Sequence, residues 1–141
     1  MPDLKTLVNE QIELLEQLKV QLESELHLIS SRDPESLTRL VNEKAETLDA
    51  IAAKDEAIKS AYAALTDDKL KAEIEPLFDQ ARELVNQCKF RTEINEKAVE
   101  QGQLRLEHLR NLLLEARAKE SMTYDKSGKP QGGTSGKGIE A

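Results

Sequence analysis

Three stretches of helical hydrophobic periodicity, separated by two short polar interruptions, constrain the fold of this chain more than any other feature. In the first stretch, apolar residues recur every three or four positions from Leu4 to Ile29, which places them on one face of an α-helix. The second stretch runs from about Pro34 to Leu65, and the third from about Leu70 to Ala116. The pattern predicts an all-α fold, an antiparallel three-helix bundle or coiled coil.

Both interruptions have the composition of a helix start. Asp33-Pro34-Glu35 offers a capping carboxylate, a proline suited to the first helical position, and an acid close to the positive end of the helix dipole. Thr66-Asp67-Asp68 is a second start signal of this kind. Within the third stretch, we expect Pro76 either to kink the helix or to end a short helix at Glu75 before a longer one begins.

The second helix carries a regular heptad that contains two charged residues. Its members are Leu37, Val41, Lys44, Leu48, Ile51, Asp55, Ile58, Tyr62 and Leu65. We expect Leu48 to belong to the core. Lys44 and Asp55 have two interpretations: they lie at the edge of the seam with their charged ends in water, or they form a buried polar pair that sets the helix register.

The third helix is predicted to be too long for its partners. If the helices pack antiparallel, Pro34 lies level with about residue 98, and residues 98–118 extend about 30 Å beyond the bundle. This overhang carries six leucines in the eleven residues from 104 to 114. We therefore predict a partner-binding surface made of Leu104, Leu106, Leu109, Leu112, Leu113, Leu114 and Ala116.

Three other arrangements would cover the same leucines. The helices of the bundle spread apart, the first helix tilts to cover them, or two copies of the chain pack their overhangs against each other in a homodimer.

Charge and composition exclude several classes of function. The net charge of −7 argues against nucleic acid and against an anionic membrane surface. We expect no membrane insertion and no signal peptide, because no apolar run approaches about 18 residues and no basic start precedes an apolar core. With Cys88 as its single cysteine, the chain is expected to be a cytoplasmic protein.

No residue pattern predicts catalysis, a metal site or a cofactor. His27 and His108 lie on different helices without metal-ligand spacing, and Cys88 falls on the apolar stripe as a small core residue. The acids lie on solvated helix faces and form no acid/base pair. We therefore predict that the protein is not an enzyme.

The last part of the chain differs in composition from the rest. Residues 121–141 contain five of the six glycines, together with serines and lysines. Such a segment buries too little apolar surface to offset its ordering entropy. We predict a helical domain over residues 1–120 and a flexible Gly/Ser/Lys tail over residues 121–141.

Three sequence pieces resemble the FlgN family of flagellar type III export chaperones. Helix 2 contains Asn42-Glu43-Lys44-Ala45-Glu46-Thr47-Leu48, and the third helix has Ile94-Asn95 before its leucine-rich stretch. Thr123-Tyr124-Asp125-Lys126-Ser127-Gly128 is similar to the family's Tyr-Asp-x-x-Gly motif. The resemblance covers roughly residues 10–130.

The resemblance implies a function. A FlgN-like chaperone binds the C-terminal segment of the hook–filament junction proteins FlgK and FlgL through its last helix and prevents their premature assembly. It adds Tyr124 to the predicted partner-binding residues, and the export apparatus to the candidate partners. The alternatives are a homodimerising coiled-coil structural protein and an adaptor of another secretion system.

Overall fold

The computed structural model describes residues 3–31 and 33–128, with side chains for residues 3–31 and 33–121. It contains three helices, α1 (Leu4–Ser30), α2 (Pro34–Ala64) and α3 (Asp68–Gly128), and no strand within the described residues. The predicted all-α fold with an over-long third helix is confirmed. The chain divides into two compact units, Met1–Ala98 and Val99–Ala141.

An aspartate side chain stands at the start of each helix. Asp3, Asp33 and Asp67 accept hydrogen bonds from backbone N–H groups of the first turn at 2.8, 3.1 and 2.9 Å. These N–H groups have no partner within the helix, so the carboxylates satisfy them and also face the positive end of the dipole. The two predicted interruptions therefore lie where the sequence places them.

Helix α3 is continuous through Pro76, which excludes a break at Glu75. It also extends to Gly128, further than the predicted end near Ala118. Residues 119–127 contain neither glycine nor proline, so nothing in them stops a helix. Of the predicted tail, residues 121–128 have a helical backbone and residues 129–141 lie outside the described residues. The flexibility of the tail stays a prediction.

In the first unit, α1 and α2 run antiparallel. Near one end, Nζ of Lys54 lies 3.2 Å from Oε2 of Glu10, and near the other, Nζ of Lys44 lies 2.7 Å from Oε2 of Glu25. From the first ion pair to the second, residue numbers rise from 10 to 25 along α1 and fall from 54 to 44 along α2. Two ion pairs at opposite ends therefore fix how the two helices are aligned.

Helix α3 runs parallel to α1 in this unit. The Sγ atom of Cys88 lies 3.7 Å from the carbonyl oxygen of Leu15. The side-chain nitrogen Nδ2 of Asn95 lies 3.0 Å from the carbonyl oxygen of Leu22. Both pairs are 73 residues apart in sequence, so the two helices keep one register along this contact. The order of the three helices is up, down, up.

The core of the first unit is aliphatic. Val8 and Leu22 are the most deeply buried large side chains, at 1% and 2% exposure. The buried hydrophobic residues are Leu4, Leu7, Val8, Ile12, Leu15, Leu18, Leu22, Leu40, Ile58, Ile74, Leu84 and Cys88. At one edge, the ring of Tyr62 meets that of Phe78 edge-on at 5.6 Å between centroids. Burial of aliphatic surface is therefore the main stabilising term of the bundle.

At every second heptad position of α2, the residue that faces inward is the neighbour of the predicted one. Thr47 is buried in place of Leu48, which is 46% exposed, so the assignment of Leu48 to the core is wrong. Turned this way, α2 directs Lys44 and Lys54 towards acids of α1. The backbone carbonyl of Ile51 also accepts a hydrogen bond from Gln11 at 3.0 Å. These polar contacts accompany the exposure of Leu48.

Candidate partner-binding surfaces

The leucine-rich segment, residues 104–114 of α3, is exposed over most of its apolar surface. Leu106 and Leu113 are 69% and 59% exposed, and Leu104, Leu109 and Leu112 are 58%, 52% and 47% exposed. Soluble proteins rarely leave so many large apolar side chains together in water unless another molecule covers them. The segment is therefore the first candidate surface for a partner.

The other predicted contact residues divide into three cases. Ala116 is exposed, like the leucines before it, whereas Leu114 is half-buried. Tyr124 belongs to α3 by its backbone, and its side chain lies outside the part that the structure describes.

The charges around the leucines are balanced. Residues 99–118 contain three acids (Glu100, Glu107 and Glu115) and three arginines (Arg105, Arg110 and Arg117). The segment is therefore formally neutral in a chain of net charge −7. A partner would meet an apolar face with mixed charges at its edges, and long-range repulsion from this segment would be small.

A buried polar cluster joins all three helices in the first unit. We call Glu25, Lys44 and Asn95 the polar triad. One oxygen of Glu25 accepts from Nζ of Lys44 at 2.7 Å, and the other accepts from Nδ2 of Asn95 at 2.8 Å. Glu25 is 7% exposed and Asn95 is 4% exposed. Because both carboxylate oxygens have donors, the buried charge is compensated.

Neither of the two interpretations fits both Lys44 and Asp55. Lys44 does take part in a largely buried polar cluster, but its partner is Glu25 on α1. Asp55 is exposed, and its Oδ2 atom lies 3.1 Å from Nζ of Lys59, one turn further along α2. That neighbour raises the pKa of Lys59 through a hydrogen bond and through charge attraction.

A second candidate surface is a groove between α2 and α3, with α1 as its floor. Its volume is about 600 Å³. Apolar side chains line most of it, among them Val8, Leu15, Leu48, Ile58, Phe78 and Val85. The sequence does not predict this groove, because the heptad pattern assigns Leu48 to the core. No signal in the sequence reveals it, because the orientation of Leu48 depends on how α2 packs against the other two helices.

The floor of the groove holds a polar atom without a partner. Gln11 is 7% exposed; its amide nitrogen donates to the carbonyl oxygen of Ile51, while its Oε1 atom has no hydrogen-bond partner among the described atoms. Arg82 and Lys89 lie on the α3 side of the groove, and Asp55 lies on the α2 side. A molecule in the groove would meet an apolar floor and charged edges.

The described residues contain no group of three or more potential metal ligands. His27 and His108 are both exposed, and Cys88 is buried as a core side chain. Burial raises the pKa of the Cys88 thiol, which keeps it protonated and unreactive. No helix within the described part is long and apolar enough to span a membrane.

These features define an all-α helical bundle protein with an exposed apolar helix surface. The chain belongs to the FlgN family, whose model, described as FlgN protein, matches residues 1–132. This confirms the predicted membership of the FlgN family. The family consists of chaperones of flagellar export, rather than enzymes, and they bind hook-associated export substrates. No curated protein and no solved structure shows a significant match to the chain.

Proposed function

We propose that this protein is a cytoplasmic chaperone that binds the C-terminal helical segments of the junction proteins FlgK and FlgL before their export. The client would lie on the leucine-rich segment and keep its own assembly surface covered. Family membership supports a flagellar export chaperone, and the exposure of the leucines supports this location. The export apparatus is a further proposed partner.

The single observation that carries the proposal is the exposure of five leucines within one short helical segment. An amphipathic helix that lays its apolar face on this segment would remove those side chains from water, at about 25 cal/mol for each Å² of apolar surface. Release would then need only that the client helix be pulled away.

The experiment compares two matched leucines. Leu109 is 52% exposed in the leucine-rich segment, and Leu48 is 46% exposed in the groove of the first unit. Each is changed to aspartate, and both variants are titrated with the C-terminal segment of FlgK. We expect Leu109→Asp to weaken binding at least about tenfold, because it places a charge in an apolar contact. Leu48→Asp should bind like the unmodified protein.

Thermal melts of the same two variants show whether either change acts through folding. Both melting temperatures should remain close to that of the unmodified protein, since neither side chain is buried. If Leu48→Asp alone abolished binding, the client would occupy the groove. If Leu109→Asp unfolded the protein, the leucines would belong to a core, and the proposal would be wrong.

A homodimer through the same segment is the second candidate. Two copies would cover their leucines with each other, and this dimer would act as a structural or adaptor protein. Light scattering separates the cases: a chaperone that awaits its client is expected at a mass of about one chain, 15.8 kDa. A stable mass of twice that value, unaffected by the FlgK segment, would favour the dimer.

A further inference from the structure

A further surface of the first unit has the shape and the charge of a docking site for a helix. It is a cleft between α1 and α2, which we call the acidic cleft. We propose that it binds a basic amphipathic helix of a partner protein. The inference goes beyond the proposed function, because the client stays on the leucine-rich segment and the cleft takes a different partner.

Small side chains form much of the cleft. Ala50, Ala53 and Ala57 follow one another along α2 at steps of three and four residues, and all three are exposed. From α1, the half-buried Leu14 and the exposed Gln17 complete the lining at the centre. A side chain that ends at its β-carbon allows another helix to approach closely, so this surface accepts a helix more readily than a row of large side chains would.

The cleft is long enough for several turns of a helix. It consists of two adjoining parts of about 510 and 270 Å³, which share Leu14, Gln17 and Ala50. Along α2 its lining runs over residues 43–57, and along α1 over residues 10–21. At 1.5 Å per residue this corresponds to about 15–20 Å, or three to four turns.

Acids stand at both edges of the cleft. Glu10 and Glu13 lie on the α1 side, and Glu43 and Glu46 lie on the α2 side. The lining also contains one base, Lys54, whose Nζ atom lies 3.2 Å from Oε2 of Glu10. Four acids and one lysine give the lining a formal charge of −3. A helix with lysine or arginine on both flanks would match this charge, which favours fast association and one orientation.

A buried acceptor distinguishes this cleft from an ordinary solvated helix face. Gln21 lines the end of the cleft beside Glu43 and Glu46. The residue is only 9% exposed, and its Oε1 atom has no hydrogen-bond partner among the described atoms. A buried acceptor without a donor is unfavourable. A lysine or arginine of a docked helix can supply the donor, so one type of side chain serves both the acids and Gln21.

The occupant is defined by these features. It is a helix with a narrow apolar stripe that packs on the alanines, and with basic residues along both sides of that stripe. An acidic helix, a nucleic acid or an anionic lipid surface would be repelled by the same four carboxylates.

The experiment uses designed peptides of about 20 residues, which form a helix of about 30 Å. The lysine peptide has a stripe of alanine and leucine flanked by lysines. A second peptide has glutamate in place of every lysine, and a third has the composition of the lysine peptide in a scrambled order without a continuous stripe. Each is titrated by calorimetry into the full chain. We expect the lysine peptide to bind, the scrambled peptide to bind at least about tenfold more weakly, and the glutamate peptide not to bind.

Two double variants test the acids with equal changes of net charge. Glu13→Gln/Glu46→Gln removes one acid from each edge of the cleft. Glu93→Gln/Glu96→Gln is the matched control, because both residues are exposed on α3 and lie outside the cleft. We expect the first double variant to weaken the lysine peptide at least about tenfold and the control to change its affinity by less than about twofold.

Two further variants test the shape of the cleft and its buried acceptor. Ala53→Gln places a larger neutral side chain in the cleft and should weaken the lysine peptide. Ala45→Gln, at an exposed position of α2 outside the cleft, should not. Gln21→Leu should raise the urea midpoint of unfolding, because it removes an acceptor that has no donor, and should still weaken the peptide. Circular dichroism confirms that each variant keeps its helical content.

Two results would overturn the inference. If the cleft variants bind the lysine peptide as well as their controls do, or if the scrambled peptide binds equally, the chain attracts basic peptides through its overall charge alone. If the C-terminal segment of FlgK competes with the lysine peptide, the cleft belongs to the client, and the proposed location of the client fails as well. Unchanged affinity for the lysine peptide with the FlgK segment already bound is the expected result.

The variant Leu109→Asp separates the inference from the proposed function. It should weaken the FlgK segment and leave the lysine peptide unaffected. Loss of FlgK binding with an intact response of the cleft variants would leave the inference standing, whichever partner occupies the leucines.

Discussion

The amide nitrogen of Asn95 on α3 lies 2.8 Å from Oε1 of Glu25 on α1. The same nitrogen lies 3.0 Å from the carbonyl oxygen of Leu22, so two acceptors of α1 hold one side chain of α3. Lys44 of α2 occupies the remaining oxygen of Glu25. Each helix therefore contributes one residue to the polar triad. Sliding any of them by one turn would leave the buried carboxylate of Glu25 without a donor.

The first prediction concerns the triad. Lys44→Met should lower the free energy of unfolding by about 1–3 kcal/mol, because a buried carboxylate loses a charged donor. The double variant Glu25→Leu/Lys44→Met should recover much of this loss, since it removes the charge that needs a donor. Urea denaturation of both variants measures the difference. A double variant less stable than Lys44→Met would show that Glu25 stabilises the bundle independently of Lys44.

The second prediction separates the core from the groove. Leu22 is 2% exposed and Leu48 is 46% exposed. Leu22→Ala should cost about 2–5 kcal/mol of unfolding free energy, because it opens a cavity between packed helices. Leu48→Ala should cost less than about 1 kcal/mol, because its side chain already contacts water. Denaturant titration checks both values, and equal losses would contradict the observed orientation of α2.

The third prediction concerns pH. Hydrogen bonds from the side chain and the backbone of Ser36 hold the pKa of Asp33 below its ordinary value. A lowered folded-state pKa stabilises the protein above the unfolded-state pKa of about 4, and this contribution is lost as the pH falls through the folded-state value. Asp33→Asn keeps a capping oxygen that does not titrate. Its melting temperature should therefore fall less on acidification than that of the unmodified chain.

The fourth prediction uses Cys88 as a probe of bundle opening. Cys88 is 5% exposed, and burial raises the pKa of its thiol, so both reagent access and thiolate content are low. A thiol reagent should label it far more slowly than it labels the unfolded chain, with rates that rise steeply as urea is added. Rapid labelling in native buffer would mean that α1 and α3 separate easily.

The fifth prediction concerns Gly102, which lies within α3 just before the leucine-rich segment. A β-carbon added there would meet no atom within 4 Å. Gly102→Ala should therefore favour the helix by about 0.5–1 kcal/mol, because alanine loses less conformational freedom than glycine. The helical signal in circular dichroism should persist to higher temperature. A loss of helical signal would imply that the glycine is needed by a contact absent from this structure.

The helices and their starts could be predicted because their signals are local. Asp33 and Asp67 act within three residues of themselves, and no distant part of the chain changes that. The orientation of α2 could not be predicted in the same way. Leu40 and Val41 are adjacent and both apolar, so periodicity alone fits either of them. In the observed orientation, Lys54 and Lys44 of α2 meet Glu10 and Glu25 of α1. These are two of 27 acids that look alike in sequence, so the sequence alone does not reveal the pairing.

Of the two candidate surfaces, one could be predicted from the sequence and the other could not. The exposed leucines followed from comparing segment lengths, which the sequence supplies directly. The groove depends on where Leu48 points, and therefore on tertiary packing. The resemblance to the FlgN family includes Asn95, but the hydrogen bond from Asn95 to Glu25 joins residues 70 positions apart, and no spacing rule connects them.

The order of the helices along the chain has a consequence for synthesis. A ribosome makes the chain from its N-terminus, so the residues of all three bundle helices are complete at Ala98 before the leucine-rich segment is translated. The antiparallel pair α1 and α2 can form first, because its contacts close shorter loops than those between α1 and α3. The leucine-rich segment would thus leave the ribosome after the residues of the bundle, whose apolar side chains can pack against each other before it emerges.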